Sequence, residues 1–345
     1  MRSEKGRLFR IANKSSRRSA LRIASKMRPV VRLPRREREA SGVGGLSAFP
    51  SWLVVGLAFI LLFAGCGGNA AVPLHQESKQ VLVAASIPPI ADMVRQVGGE
   101  RVEVLTMVPP GASPHTYEPT PEQMRRLAGA RILFLNGVGL EFWADKAVQA
   151  VGNPHLQVVV LSQGMEILQS GPHATGNPHL WLSPQRAMKY VARIRDALIA
   201  ADPAHEALYR ANARAYLAQL QQLDAEIRKA VAGFRSREMV TFHASWVYFI
   251  HDYGLHQAAV LEATPGQEPS AAEVAKIVEI IKATGAPAVF AEPQFSPRAA
   301  QVIAQEAGVP VLTLDPLGGL PPRETYIKLM RWNLQQLRKG LGGTP

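Results

Sequence analysis

From Pro203 to Gly233 the chain reads PAHEALYRANARAYLAQLQQLDAEIRKAVAG, a stretch with no internal glycine and no second proline. Tyr209, Tyr216, Leu220, Leu223, Ile227 and Val231 recur in it at helical spacing, which gives one apolar face along its length. Asp202 can cap this helix, Pro203 can open it and Gly233 can end it, as helix boundary chemistry requires. At 1.5 Å per residue it would be about 45 Å long. A helix of that length divides the elements around it into two sets.

Short β-rich runs lie on both sides. Val81–Ala85, Val102–Val108, Ile132–Leu135 and Gln157–Leu161 come before it; Met239–Phe242, Ala258–Leu261, Ala288–Ala291 and Val309–Leu314 come after. Most are continuous apolar runs, the pattern of strands buried on both faces of a parallel sheet. Between them stand Thr120-Pro121, Ser183-Pro184 and Ser296-Pro297, each a hydroxyl cap followed by a proline where the first helical turn needs no donor. The alternation predicts βα units. The fold class expected is α/β: two lobes, each a mostly parallel four-stranded sheet flanked by helices, joined by one long rigid helix. The alternative is a single doubly wound domain with an extended helix.

The boundaries follow. Residues 81–202 form the first lobe, 203–232 the linking helix and 233–345 the second lobe. Residues 67–80 have linker composition and suit a flexible tether. Residues 51–66 contain a 13-residue apolar or Gly run, Trp52 to Ala64, with basic residues upstream. That run is shorter than the roughly 20 residues of a spanning helix and reads as the apolar region of an export signal. It ends at Phe63-Ala64-Gly65-Cys66, which resembles the lipobox of bacterial lipoproteins and makes Cys66 a candidate lipid attachment site. A Phe stands three residues before the cysteine where Leu is usual, and plain signal cleavage is the other reading. Residues 1–50 are a basic extension in which Met27 offers an alternative start. The protein is expected outside the cytoplasm, held at the membrane by a lipid anchor or its signal.

The formal charge of +12 points to nucleic acid only until it is located. Residues 1–50 hold 14 Lys and Arg against 3 Glu, and the remainder is nearly balanced at +1. A body so neutral has no global field for phosphates, which excludes nucleic acid as the expected partner. Cys66 is the single cysteine, so there is no disulfide framework and no thiolate metal site. Any metal must be held by His, Asp or Glu.

Open parallel sheets present ligands at the carboxyl ends of their strands. His115 follows the second strand, His179 lies after the fourth, His243 follows the fifth directly and Asp315 follows the eighth. Each lobe thus supplies two donors to a candidate four-ligand set of three imidazoles and a carboxylate. Imidazole suits zinc, and a third His in place of a second carboxylate leans away from manganese, which prefers oxygen. Glu262 and Glu292 also fall at strand ends and are candidates to orient a ligating imidazole. The pentapeptide GNPHL occurs twice, at 152–156 and 176–180. His155 precedes the fourth strand, at the wrong edge of the sheet, and is expected to be a surface turn residue, with the repetition arising by chance.

Pro114-His115-Thr116 with Glu118-Pro119-Thr120-Pro121, Pro178-His179-Leu180-Trp181, Phe242-His243, GQEPS at 266–270, AEPQFSP at 291–297 and LDPLG at 314–318 occur in order. In these segments the chain resembles the metal-receptor lipoproteins of bacterial ABC importers, the ZnuA/TroA-like zinc and manganese solute-binding proteins. The resemblance covers Val81 to about Leu337. It implies two lobes bridged by a long helix, one metal in the cleft bound by His115, His179, His243 and Asp315, and delivery to a permease with its ATPase. Zn2+ is the expected ion and Mn2+ the alternative; a monomer is expected. Zinc receptors of this family often carry a long His-rich loop before the second ligand. Here SQGMEILQSGPHATGNPHLW is short and offers His173 beside His179. Two rivals remain: a zinc hydrolase, against which Asp315 would close the open position and no HExxH motif is present, and a surface adhesin with a structural metal. The chain is not expected to be an enzyme.

Overall fold

The computed structural model describes residues 80–169, 176–262, 264 and 266–342. The export segment with Cys66, the tether with His75, and His173 lie outside the described residues. The first lobe contains β1 (Val81–Ala85), α1 (Pro88–Gly98), β2 (Val102–Thr106), α2 (Pro121–Ala128), β3 (Ile132–Leu135), α3 (Ala144–Val151), β4 (Gln157–Val160) and α4 (Pro184–Ala201). After α5 (Glu206–Ala232) come β5 (Glu238–Thr241), α6 (Val247–Tyr253), β6 (His256–Val260), α7 (Ala271–Thr284), β7 (Val289–Ala291), α8 (Arg298–Ala307), β8 (Val311–Thr313) and α9 (Tyr326–Leu341). The two four-stranded sheets have the same winding, β2-β1-β3-β4 and β6-β5-β7-β8. Every strand pair is parallel.

Strands so short still hold their loops, because ladder bonds continue past the strand ends. Val108 donates to Ser86 O, Leu161 to Leu135 O, Glu262 to Phe242 O and Leu314 to Ala291 O, all at 2.8–2.9 Å. The carboxyl edges therefore launch their loops from fixed backbone.

The linking helix begins three residues later than its sequence pattern implies. Pro203–His205 form a single 3-10 turn, and Asp202 spends its carboxylate on His205 Nδ1 and the Tyr209 hydroxyl instead of capping α5. The 27 residues of α5 then span about 40 Å. Its apolar face is buried as the spacing predicts, with Tyr209, Tyr216, Leu220, Leu223, Ile227 and Val231 all at most 3% exposed. That face packs against α1 and α4 of the first lobe and α6 and α9 of the second. One apolar cluster runs from Val83 through this helix to Phe249, Leu314 and Tyr326, so the two lobes share a core.

Caps differ from expectation at two sites. Thr120 and Gln123 form a reciprocal capping box on α2, as expected of Thr120-Pro121. Ser183 makes no cap bond to α4; its hydroxyl donates to Asp252 Oδ2 at 2.6 Å. Helix α8 starts at Arg298 with Pro297 in the cap position, one residue beyond the Ser296-Pro297 signal.

Asp252, on α6, also accepts two bonds from Arg186, on α4, at 2.9 and 3.1 Å. This pair crosses between the lobes with both side chains 9% exposed. Asp92 on α1 makes a second tie, accepting the Tyr326 amide at 2.9 Å and the Tyr216 hydroxyl at 3.3 Å. Burial alone would push the Asp252 carboxyl up, yet the donors from Arg186, Ser183 and His251 hold it below its usual range. A carboxyl depressed by folding contributes stability that is present above its unfolded pKa of about 3.9 and lost as pH falls through the folded value. Arg186→Gln leaves Asp252 buried without its partner and should cost about 3–5 kcal/mol at pH 7. The deficit should shrink as pH is lowered below about 4, which urea unfolding of both proteins across pH 2–7 measures.

Candidate metal centre

Three of the four strand-end donors meet. His115 lies in a turn after β2, half-buried; His179 sits after β4 at 2% exposure; His243 leaves β5 in extended conformation at 3% exposure. His179 Nε2 stands 3.1 Å from His115 Nε2 and 3.1 Å from His243 Nε2. The ring centroids lie 4.9–5.4 Å apart with inclined planes. A tetrahedral ion with nitrogens at about 2.0–2.1 Å spaces its donors about 3.3 Å apart. The observed spacing is that of a shared ligand position. Among the described residues, the side chains that gather with all ligand atoms within 4.8 Å of one another are these three.

Two of the rings have a polar group behind the nitrogen that faces away from the centre. Asn177 Oδ1 lies 3.0 Å from His179 Nδ1, and Asn177 Nδ2 is committed to Ala244 O at 2.6 Å. The oxygen therefore faces the ring, Nδ1 carries the proton, and the Nε2 lone pair points into the centre. Glu292 Oε1 lies 2.9 Å from His243 Nδ1, at an angle short of a directed hydrogen bond, and accepts from Ser245 Oγ at 2.9 Å. Behind His179, Asn136 donates to Pro178 O at 2.7 Å and accepts from the Tyr190 hydroxyl at 2.6 Å, which fixes the loop to the end of β3.

The other candidates stand differently. Asp315 is 2% exposed and lies outside the triad, its carboxylate accepting from Gln294, Leu317 N, Gly318 N and Arg323. Glu262 accepts the Gly266 amide at 2.7 Å, which anchors its own loop. Burial pushes its carboxyl up, against the pull of that amide and of the nearby His243. His155 is exposed in a turn before β4, as its place on the sheet implies.

The twin pentapeptides share one Asx hydrogen bond. Asn153 Oδ1 accepts the His155 amide at 2.8 Å and Asn177 Oδ1 accepts the His179 amide at 3.0 Å. Both are Asx turns whose amide group then pins a neighbouring loop. The shared bond does not make a shared site, because only the second copy lies at the carboxyl edge. Sequence reasoning passed over Asn177 and Asn136. The signals were there, an Asn two residues before a candidate ligand and an Asn directly after an apolar strand.

Pro114, Trp181, Phe295, Pro316 and Leu317 wall the centre. The cavity leaves about 10 Å³ for the centre of a water-sized sphere, about the room one water needs and far below the roughly 300–1,000 Å³ of small-molecule sites. It suits an ion better than an organic substrate.

A two-lobed α/β body with a linking helix and imidazoles converging between its sheets defines a class of ion-receptor fold. The family described as "Zinc-uptake complex component A periplasmic" matches residues 83–340, and the chain belongs to that family. It is 30% identical over 316 residues to the high-affinity zinc uptake system protein ZnuA of Bacillus subtilis (strain 168), covering 85% of this chain and 98% of that one. It is 30% identical over 291 residues to the manganese-binding lipoprotein MntA of Halalkalibacterium halodurans, covering 83% and 96%. A crystal structure of ZnuA superposes with a TM-score of 0.70 at 32% identity, over 76% of this chain and 99% of that one.

Asn177→Ala should release the tautomer of His179 and lower metal affinity about 10–100-fold, while Asn153→Ala, at the twin turn, leaves it unchanged. Competition titration against a chromophoric chelator measures both.

Proposed function

We propose that this protein is the extracytoplasmic receptor of an ABC importer for a divalent metal, with zinc as its cargo. His115, His179 and His243 are the proposed nitrogen donors, and Asp315 the carboxylate that can complete the set. The observation that carries this reading is the convergence of three Nε2 atoms at 3.1 Å spacing. Nitrogen donors favour zinc over manganese, which prefers oxygen. Manganese is the second reading, favoured by the closeness of Asp315: its neighbours Pro316 and Leu317 and its partner Gln294 line the cavity.

Delivery would be to a membrane permease driven by a cytoplasmic ATPase, with Cys66 as the proposed lipid attachment point. Among the described residues no helix is long and apolar enough to cross a membrane, consistent with attachment from outside the folded body. A receptor role is also favoured over hydrolysis by the small cavity and by Glu292, whose contact with His243 aims a ligand rather than a water. Closure on binding should be small, because the shared core and the Arg186–Asp252 pair oppose hinge bending.

His115→Ala and His243→Ala should each lower zinc affinity by more than about 100-fold, beyond the loss of an orienting residue. Metal-stripped protein should keep its far-UV spectrum and gain thermal stability when zinc is added, by about 4 kcal/mol at a thousandfold excess over Kd. Unchanged affinity in both variants would sink the assignment, and unfolding on stripping would make the metal structural.

A further inference from the structure

Asp315 is held more tightly than a free ligand would be. Asn333 on α9 clamps its backbone, accepting from its N–H and donating to its C=O, both at 2.8 Å. Its side chain is held as well. Oδ1 receives Gln294 Nε2 at 2.9 Å and the amides of Leu317 and Gly318 at 3.0 Å, and Oδ2 receives Arg323 Nε at 2.8 Å. Four donors meet a carboxylate with about four acceptor sites. Three of the donors crowd Oδ1, so Oδ2 is the oxygen left for an ion, and there the ion meets the charge of Arg323.

Arg323 is the charged donor of the four, and its place is built into the loop. Gly318 and Gly319 adopt φ of +61° and +87°, values that glycine adopts freely and residues with a side chain rarely. A Cβ at Gly318 would lie 2.6 Å from the carbonyl oxygen of Arg323. That oxygen accepts from Gly319 N at 2.9 Å. The guanidinium also lies 4.4 Å over the Trp332 ring, an arrangement that favours a cation. Its side chain is 20% exposed, against 3% for Asp315, so Arg323 is the partner with room to withdraw.

We propose that Arg323 sets the metal preference of this centre by competing with the ion for Asp315 Oδ2. The proposal rests on the receptor reading given above. While the pair is closed the site presents three imidazoles, a set that suits zinc. When the guanidinium withdraws, a carboxylate oxygen joins, and an ion that prefers oxygen gains most. A guanidinium and a dication on one carboxylate oxygen repel each other, and each draws on the same negative charge. The charge-assisted bond therefore opposes ligation by Asp315 about tenfold to a hundredfold.

The test titrates the purified full chain with Zn2+ or Mn2+ alone, in competition with a chelator. Arg323→Gln should raise Mn2+ affinity at least about tenfold while Zn2+ affinity moves about threefold or less. Arg323→Lys, which keeps a cation, should fall between the wild type and Arg323→Gln. Adding Asp315→Asn to Arg323→Gln should remove the gain. The visible absorption of bound Co2+ should shift in Arg323→Gln and return in the double variant. An equal rise for both metals that survives Asp315→Asn would mean that Arg323 acts only through long-range charge, and would overturn the proposal. An unchanged zinc-to-manganese ratio would overturn it too. If Arg323→Gln fails to fold, Arg323→Lys carries the test, because its ratio must also shift toward manganese. His179→Ala separates the two claims: metal binding that survives it refutes the receptor reading itself, whereas a failure confined to the Arg323 variants refutes only this one.

Discussion

Three imidazole nitrogens held about 3 Å apart repel rather than attract unless something is shared between them, and no folding force brings them together for its own sake. Their spacing in this protein, 3.1 Å on both measured edges, is imposed by backbone. Ligand positions must be fixed to about 0.5 Å to be useful. That demand explains why His243 follows the end of β5 closely, why His115 and His179 lie in loops launched from the ends of β2 and β4, and why Asn177, Asn136 and Glu292 stand behind the site.

The same demand reaches across the molecule, because His115 and His179 belong to one sheet and His243 to the other. A hinge between the sheets would scatter the site. The structure removes the hinge by sharing a core: α5 buries one face against helices of both lobes, and the apolar cluster passes through it without a break. Polar groups buried at the seam add direction to that packing. Trp181 Nε1 donates to Pro316 O at 2.8 Å and the Tyr326 hydroxyl to Trp181 O at 2.7 Å, which ties the loop carrying His179 to the loop carrying Asp315. Buried hydrogen bonds of this kind are costly to leave half made, so a sheared seam is penalised at every one of them.

Much of this was legible in the sequence because it rests on periodicity. The eight strands fall within a few residues of their apolar runs, and the buried face of α5 was readable from Tyr209 to Val231. The rule that ligands gather at carboxyl edges separated His179 from His155. What stayed hidden depends on side-chain partners brought together by the fold. Ser183 looks like a cap but serves Asp252, 69 residues away. Asp315 looks like a ligand, and nothing local announces that Arg323 folds back onto it through two glycines in left-handed conformation. The repeated GNPHL was no guide to the site: its two copies share an Asx bond, but only the second lies at the carboxyl edge.

The electrostatics of the centre follow from which acids are neutralised and which are not. Asp315 meets a guanidinium at 2.8 Å, so its charge is cancelled where it stands. Glu292 meets a hydroxyl and an imidazole, and Glu262 a backbone amide. These partners are dipoles, and they leave the carboxyl charge uncancelled. Both acids are buried at 3–4% exposure beside His243, where a low dielectric lengthens the reach of charge. A dication among the three rings would be attracted by both carboxylates. Attraction for charge and choice of donor are thus carried by different residues: the glutamates act on any divalent ion alike, while the imidazoles and the Asp315–Arg323 pair act on its chemistry.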